Sequence, residues 1–157
     1  MPESTPVTIA IEDPDQPEIR ALLAASDAYM TALYPAESNH LVDVAALRSA
    51  NVRFLVARRG GACVACGALI VAIDGTAEIK RMWVEPHARG SGLGRRILAS
   101  IEKVARAEGV EILRLETGIS QAEAIDLYRS TGFATIAPFG AYQPDPLSLF
   151  MEKRLER

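Results

Sequence analysis

Residues 77–96 read Ala-Glu-Ile-Lys-Arg-Met-Trp-Val-Glu-Pro-His-Ala-Arg-Gly-Ser-Gly-Leu-Gly-Arg-Arg. Turn signals bound the first part, Asp74-Gly75 before it and Pro86 after it, so Ala77 to Val84 is expected as a strand. From Leu93 the apolar residues Leu93, Ile97, Ile101 and Val104 recur at steps of four, four and three. That spacing marks one face of a helix running to about Ala107, with Gly109 as its stop. Between strand and helix lies Arg89-Gly-Ser-Gly-Leu-Gly94. Glycines let backbone approach a ligand closely, and the free N–H groups of a helix start carry roughly half a positive charge. Phosphate suits such a place. Arg95 and Arg96 fall in the first turn, where cations are disfavoured. A bound anion would resolve that conflict, and arginines turned to water are the alternative.

Three phosphate-binding patterns compete for the loop. A P-loop needs Gly-Lys-Ser/Thr, and Gly94 is followed by Arg95. A dinucleotide fingerprint would use Gly90 and Gly92 but would place its third glycine on Arg95. Arg/Gln-x-x-Gly-x-Gly/Ala is satisfied by Arg89, Gly92 and Gly94. With the preceding Met-Trp-Val-Glu-Pro and the following Arg-Arg-Ile-Leu, the stretch closely resembles the acetyl-coenzyme A loop of the GNAT superfamily of N-acetyltransferases. A second segment, Ala124-Ile-Asp-Leu-Tyr-Arg-Ser-Thr-Gly-Phe133, is similar to that family's Ala-x-x-Leu-Tyr-x-x-x-Gly-Phe. The family often has Asn three residues before that alanine, where this chain has Gln121.

Composition sets the bounds. A chain of 157 residues, 49% hydrophobic and 24% charged, is expected to form one globular domain with a substantial core, residues 1–157. A net charge of −3 argues against nucleic acid as the partner. No apolar run is long enough to span a membrane, and the start Met-Pro-Glu-Ser-Thr lacks a signal pattern, so no membrane partner and a cytoplasmic location are expected. Cys63 and Cys66 lie in an apolar run, Ala62 to Ile73, read as a buried strand. Three apart, they should face opposite sides as reduced thiols. With no second cysteine pair and only His40 and His87 as nitrogen ligands, no metal is expected.

In chain order, Val7, Ile9 and Ile11 alternate as a strand. Asp15 and Glu18 signal a helix start, whose apolar face continues through Met30 and Leu33 until Pro35. A weaker helical pattern covers Asn39 to Ser49 through Leu41, Val44 and Leu47. Val52, Phe54 and Val56 mark a second strand, Gly60-Gly61 a turn, and Asp74-Gly75 a tight hairpin into the central strand, so three antiparallel strands follow one another. Val110 to Thr117, reached through a helical crossover, should run parallel to the central strand. Ser120 and Glu123 form a capping box for a helix ended by Gly132. Phe133–Ala137 and Leu147–Lys153 are expected as strands flanking a loop, Pro138 to Pro146. The predicted class is α/β with a mixed sheet, in the order β-α-α-β-β-β-α-β-α-β-β, which is also the order of the GNAT fold.

The resemblance implies an acetyltransferase using acetyl-CoA, with the pantetheine arm against Met82, Trp83 and Val84. Its pyrophosphate would rest on amides from Arg89, Gly90, Ser91, Gly92, Leu93, Gly94 and Arg95, with Gln121 as a further contact. Tyr128 stands at the position where members protonate the leaving sulfur. Glu78 matches a position where some members place a general base, with Glu85 as a rival. The acceptor would enter against Tyr34–His40 and Pro138–Pro146, which makes Tyr34, His40 and Tyr142 substrate-binding candidates. A small-molecule amine, attacking directly in a ternary complex, is the expected acceptor, and a homodimer stays open. Alternatives are a protein or peptide N-acetyltransferase, a non-catalytic acyl-CoA sensor and a nucleotide-binding module. The segment from Pro138 to Lys153 also resembles a bacterial subgroup labelled as indole-acetate-related acetyltransferases, a label that does not fix the acceptor.

Overall fold

The computed structural model describes residues 5–39 and 42–156. Its strands are β1 (Val7–Ile11), β2 (Val52–Arg59), β3 (Ala62–Val71), β4 (Thr76–Val84), β5 (Ile112–Gly118), β6 (Ala134–Ile136) and β7 (Ser148–Arg154). Its α-helices are α1 (Pro17–Leu33), α2 (Val44–Leu47), α3 (Leu93–Ala107) and α4 (Ala122–Ser130). The strands form one sheet in the order β1-β2-β3-β4-β5-β7-β6. Only β4 and β5 pair in parallel among the described residues. The expected class and element order hold. The long α3 crossover between β4 and β5 is what permits a parallel pair.

The sheet separates two apolar layers. On one face Leu93, Ile97, Leu98 and Ile101 of α3 and Tyr128 of α4 pack on Leu55, Leu69, Ile79 and Leu115. On the other, Ile19, Leu22 and Leu23 of α1 and Leu47 of α2 pack on Phe54, Val56, Cys66 and Trp83. Each fully buried aliphatic side chain here contributes about 1.5–3 kcal/mol, so burial on both faces holds the sheet while its polar residues are left for function.

Two bulges break strict alternation. In β4, Trp83 pairs with Cys66 and Lys80 with Ala68, so Arg81 and Met82 together oppose Gly67. Arg81 takes a left-handed backbone, φ 60°, and the strand changes phase there. Ala77 and Ile79 face the α3 layer, as do Met82 and Val84 after the bulge, while Trp83 faces α1. In β3, Ala57 pairs with Ala65 and Arg58 with Cys63, leaving Val64 as the extra residue. Cys63 and Cys66 therefore pack on the same face, contrary to the expectation from unbroken alternation. Both are free thiols, and burial pushes the Cys66 thiol up to about 12, so it is inert at neutral pH.

Other local expectations are corrected. Helix α1 starts at Pro17 with Gln16 as its N-cap residue. Asp15 does not cap it, because its carboxylate is held by Arg20 at 2.7 Å. The pattern from Asn39 to Ser49 shrinks to the single turn α2, capped by Asp43, whose Oδ1 accepts the Ala46 N–H at 2.8 Å. Upstream, Asn39 Nδ2 donates to the Tyr34 carbonyl at 3.1 Å and holds a short 3-10 turn, Ala36–Ser38, instead of a helix. Ser120 does not cap α4; Gln121 is the N-cap residue, without a capping side-chain bond.

Gly67 is the tightest point of the sheet beneath α3. A Cβ there would lie 2.7 Å from Met82 Sδ, 2.9 Å from Ile101 Cδ1 and 3.0 Å from Ile97 Cγ2. Gly67→Ala should cost about 1–3 kcal/mol by overpacking, read as a lowered thermal or denaturant midpoint. An unchanged midpoint would show that the bulge yields freely.

Candidate active site

β4 and β5 stay paired only from Thr76–Ile112 to Ile79–Leu115. Beyond Ile79, β4 keeps β3 on one edge through Val84 and has no strand on the other. β5 meanwhile continues beside β7 to Gly118. Backbone groups facing this gap lack ladder partners, and such groups call for a ligand or water.

A cleft of about 550 Å³ opens from the gap toward the start of α3, within the range of small-ligand sites. Met82, Trp83 and Val84 line its strand side; Arg89, Gly90, Gly92, Leu93, Gly94 and Arg95 line its loop side; Gln121 and Tyr128 close it from α4. Gly90 and Gly92 both have φ 80° with no atom within 4 Å of an added Cβ, so the loop presents bare backbone to open space. Ser91 turns away, its hydroxyl donating to the Ala88 carbonyl at 2.6 Å. The two arginines of the first turn separate. Arg95 lines the cleft and donates to Ser130 Oγ at 2.9 Å, while Arg96 reaches back to the Val7 carbonyl at 3.3 Å.

Arg89 is organised more tightly than the sequence suggests. Its Nε donates to the Val84 carbonyl at 3.0 Å, and its guanidinium lies 4.9 Å from the Trp83 ring centre and 5.5 Å from that of Tyr29. Cation–π contacts of this kind hold the charge at the cleft wall. Tyr29, on α1, had no motif to announce it.

A second, inner cavity of about 90 Å³ lies on the α1 side of the same gap. Met82, Gln121 and Tyr128 line both cavities. Tyr128 is 5% exposed, its ring edge-on to Phe133 at 5.6 Å. Burial, with the charge of Glu116 added, raises its phenol well above the usual tyrosine range. It is therefore a neutral hydroxyl at the junction, and no hydrogen bond engages it among the described residues.

Tyr34 sits at the end of α1, 6% exposed. Its hydroxyl accepts the Ser120 N–H at 3.2 Å and donates to Gln121 Oε1 at 3.5 Å. Gln121 Oε1 also accepts the Gly118 N–H at 3.1 Å. Tyr34 thus lines the inner cavity while pinning the β5–α4 loop. Gly118 makes the close approach possible, since a Cβ there would meet Tyr34 Oη at 1.9 Å.

Glu78 and Tyr142 come together in a third pocket, of about 560 Å³, between Glu37 and the Phe139–Asp145 loop. The Tyr142 hydroxyl donates to Glu78 Oε2 and accepts from Lys80 Nζ at 2.5 Å. Burial and the Glu78 carboxylate raise the Tyr142 phenol. Lys80 Nζ also lies 3.5 Å from Glu78 Oε2. Lys80 lines the inner cavity and Glu78 the loop-side pocket, so the chain Lys80–Tyr142–Glu78 is the wall between them. Glu85 lines neither, and His40 falls outside the described residues. Glu116 and Lys80, both in the inner cavity, were missed by the sequence reading.

Comparison with known proteins shows the family. The model of the acetyltransferase (GNAT) family matches residues 18–133. The chain belongs to the GNAT acetyltransferase family. An IAA acetyltransferase from Azospirillum brasilense is 55% identical over 150 residues, covering 95% of this chain and 98% of that one. A crystal structure described as an acyl-CoA N-acyltransferase from Klebsiella pneumoniae superposes with a TM-score of 0.82 at 40% identity, covering 96% of this chain and 98% of that chain. The PaiA N-acetyltransferase of Thermoplasma acidophilum, solved with coenzyme A, shares the fold at TM-score 0.75 and 18% identity, covering 96% of this chain and 99% of that chain. GNAT members use acetyl-CoA, and the chain is an acetyltransferase.

Tyr34→Phe would leave the Ser120 N–H without its acceptor. The loss should cost about 0.5–1.5 kcal/mol and speed hydrogen exchange at the Ser120 amide in NMR spectra. Unchanged exchange would mean that the tie does not hold in solution.

Proposed function

We propose that this enzyme moves the acetyl group of acetyl-CoA to the primary amine of a small molecule, by direct attack within a ternary complex. One observation carries the reading: Tyr128 lines both the larger cleft and the inner cavity. Acetyl-CoA fits the larger cleft. Backbone of Met82 to Val84 faces the pantetheine arm, the bare loop from Gly90 to Gly94 faces the pyrophosphate, and the α3 N-terminus favours its charge. The acceptor fits the inner cavity, whose 90 Å³ equals about three waters at ~30 Å³ each, room for an amine and a short stem. Its bulkier end extends toward Tyr34, with Tyr142 in the wall beside it. His40 stays in the proposed acceptor region by its place in the chain alone.

The chemistry asks for a neutral amine, a stabilised oxyanion and a protonated leaving group. An alkyl amine of pKa about 10.4 is roughly one part in 2,500 neutral at pH 7, a cost of about 4–5 kcal/mol. Main-chain N–H groups on the unpaired edge of β4 supply donors for the oxyanion. Tyr128 supplies the proton for the leaving thiolate. Burial keeps the Tyr128 phenol protonated at neutral pH, so it holds a proton to give.

Two outcomes test the reading. Gly92→Val places a branched side chain at φ 80° on the loop and should weaken acetyl-CoA binding at least tenfold by calorimetry, with the chain still folded but its stability lowered by about 1–3 kcal/mol of backbone strain. Tyr128→Phe should lower turnover about 10²-fold or more while acetyl-CoA affinity stays within about twofold. A fall of less than threefold would make Tyr128 a packing residue.

A further inference from the structure

We propose that the acceptor is an α-amino acid, whose carboxylate is received on the β4 side of the inner cavity by Lys80 and Ser26, beside Arg81. The proposal rests on the reading of that cavity as the acceptor site and narrows the substrate class. Pairing between β4 and β5 ends at Ile79 and Leu115, so Lys80 and Glu116 are the first residues past the split. Both line the cavity. Continued pairing would have set them opposite each other, yet no ion pair joins them among the described residues. A cation from one strand and an anion from the other thus border a space that the protein leaves open.

The donors on the β4 side are incompletely answered. An ammonium group has three N–H donors and accepts nothing. The Lys80 side chain is 12% exposed, and Glu78 lies 3.5 Å from its Nζ, long for a charge-assisted bond. Its shortest contact, at 2.5 Å, is the neutral phenol of Tyr142. One N–H remains. Arg81 follows in the bulge at φ 60°, and both successive residues line the cavity. Asp27 at 2.5 Å and the Leu23 carbonyl at 3.3 Å take two of its guanidinium nitrogens, while Nε is buried without an acceptor. Ser26 of α1 is 3% exposed and lines the same cavity, and its hydroxyl makes no hydrogen bond among the described residues. Buried donors left without acceptors are costly. A carboxylate brings negative charge and acceptor sites only, which is what these groups lack.

The β5 side has the opposite character. Glu116 is the carboxylate of the cavity lining, its Oε2 accepting the Ser148 hydroxyl at 2.7 Å, and Thr117 and Tyr128 add hydroxyls. A plain amine occupying this space would leave Lys80 and Ser26 unanswered. An α-amino acid carries its ammonium and its carboxylate on one carbon, a compact head group that suits about 90 Å³. With the carboxylate toward β4, the nitrogen faces β5 and Tyr128, and the side chain leaves past Tyr34.

The test uses the full chain with acetyl-CoA, read by thiol release. Common L-amino acids are each compared with their carboxamide and their decarboxylated amine, for instance L-phenylalanine, L-phenylalaninamide and 2-phenylethylamine. The carboxamide is the less basic amine and starts with more of its neutral form, so a preference for the acid reports recognition. For at least one amino acid, kcat/KM should exceed that of both counterparts by about 10²-fold or more, as two hydrogen bonds to a charged group allow. Lys80→Gln should cut that preference by about tenfold or more and Ser26→Ala by about threefold or more, mainly through the KM of the amino acid. Lys80→Arg should keep most of it. Acetyl-CoA affinity by calorimetry should stay within about twofold in each variant, since neither residue lines the larger cleft, and this also shows that the variants fold. Equal or better use of the counterparts by wild type would overturn the proposal while leaving the small-amine reading in place. A preference that survives in both Lys80→Gln and Ser26→Ala would overturn it too. Protein that binds acetyl-CoA but transfers to none of these compounds would remove the acceptor reading itself, and the amino acid with it.

Discussion

A single extra residue in β4 governs the geometry of the site. Arg81 sits at φ 60°, a conformation that costs an L-residue other than glycine roughly 1–2 kcal/mol. The surroundings hold it there. Its carbonyl accepts the Cys66 thiol at 3.2 Å, and its guanidinium, 3% exposed, is clamped by Asp27 and the Leu23 carbonyl. Because Arg81 and Met82 share one place opposite Gly67, Met82 and Val84 turn toward α3 and the cleft, while Trp83 turns toward α1 to stack with Tyr29 at 5.4 Å. A bulge also bends and twists its strand. β4 loses β5 two residues before it, at Ile79, and the candidate site opens in the gap.

That gap joins two chemically different spaces through very little protein. The side toward α3 is bounded by bare glycine backbone and by a guanidinium 4.9 Å from the Trp83 ring centre, suited to phosphate. The inner side carries a carboxylate and phenols. Tyr128 belongs to both because α4 begins right after the β5 end, and the α4 N-terminus is drawn in by Tyr34 and by the Gln121 amide. Tyr128, the proposed proton donor, is thus located by hydrogen bonds around it rather than to it. Its own hydroxyl stays available for chemistry.

Much of this was legible in the sequence, for physical reasons. The helical period from Leu93 and the glycines at Gly90, Gly92 and Gly109 are local signals, and α3 ends at the expected residues. The alternating run of β4 and the turn at Asp74-Gly75 fixed its neighbours. What failed depended on partners distant in the chain. Asp15 and Ser120 look like helix caps until Arg20 and Tyr34 engage them. The bulge at Val64, which brings Cys63 and Cys66 to one face, has no signature in a run of alanine, valine and cysteine. Glu116 is one polar residue in Ile-Leu-Arg-Leu-Glu-Thr-Gly, indistinguishable from a solvated strand position. Only the end of pairing at Leu115 marks it out.

The Phe139–Asp145 loop shows how loops acquire the precision of the sheet that carries them. Ser38, in the turn after α1, donates to Asp145 Oδ2 at 2.7 Å, and Asp145 Oδ1 accepts the Leu147 N–H at 2.8 Å. Phe139 and Tyr142 stack edge-on with each other and with Phe150 of β7, at ring distances of 5.1 to 5.9 Å. Such pairs are worth about 0.5–1.5 kcal/mol each beyond burial, enough together to order the loop before any ligand arrives. Tyr142 is then placed against Lys80 and Glu78 of β4, so a loop residue becomes part of the rigid frame. Under the proposed reading an acceptor would meet a wall that is already set, and little of its binding energy would be spent on ordering the protein. On that reading, discrimination between acceptors would fall to the length and shape that fit from this wall to Tyr128.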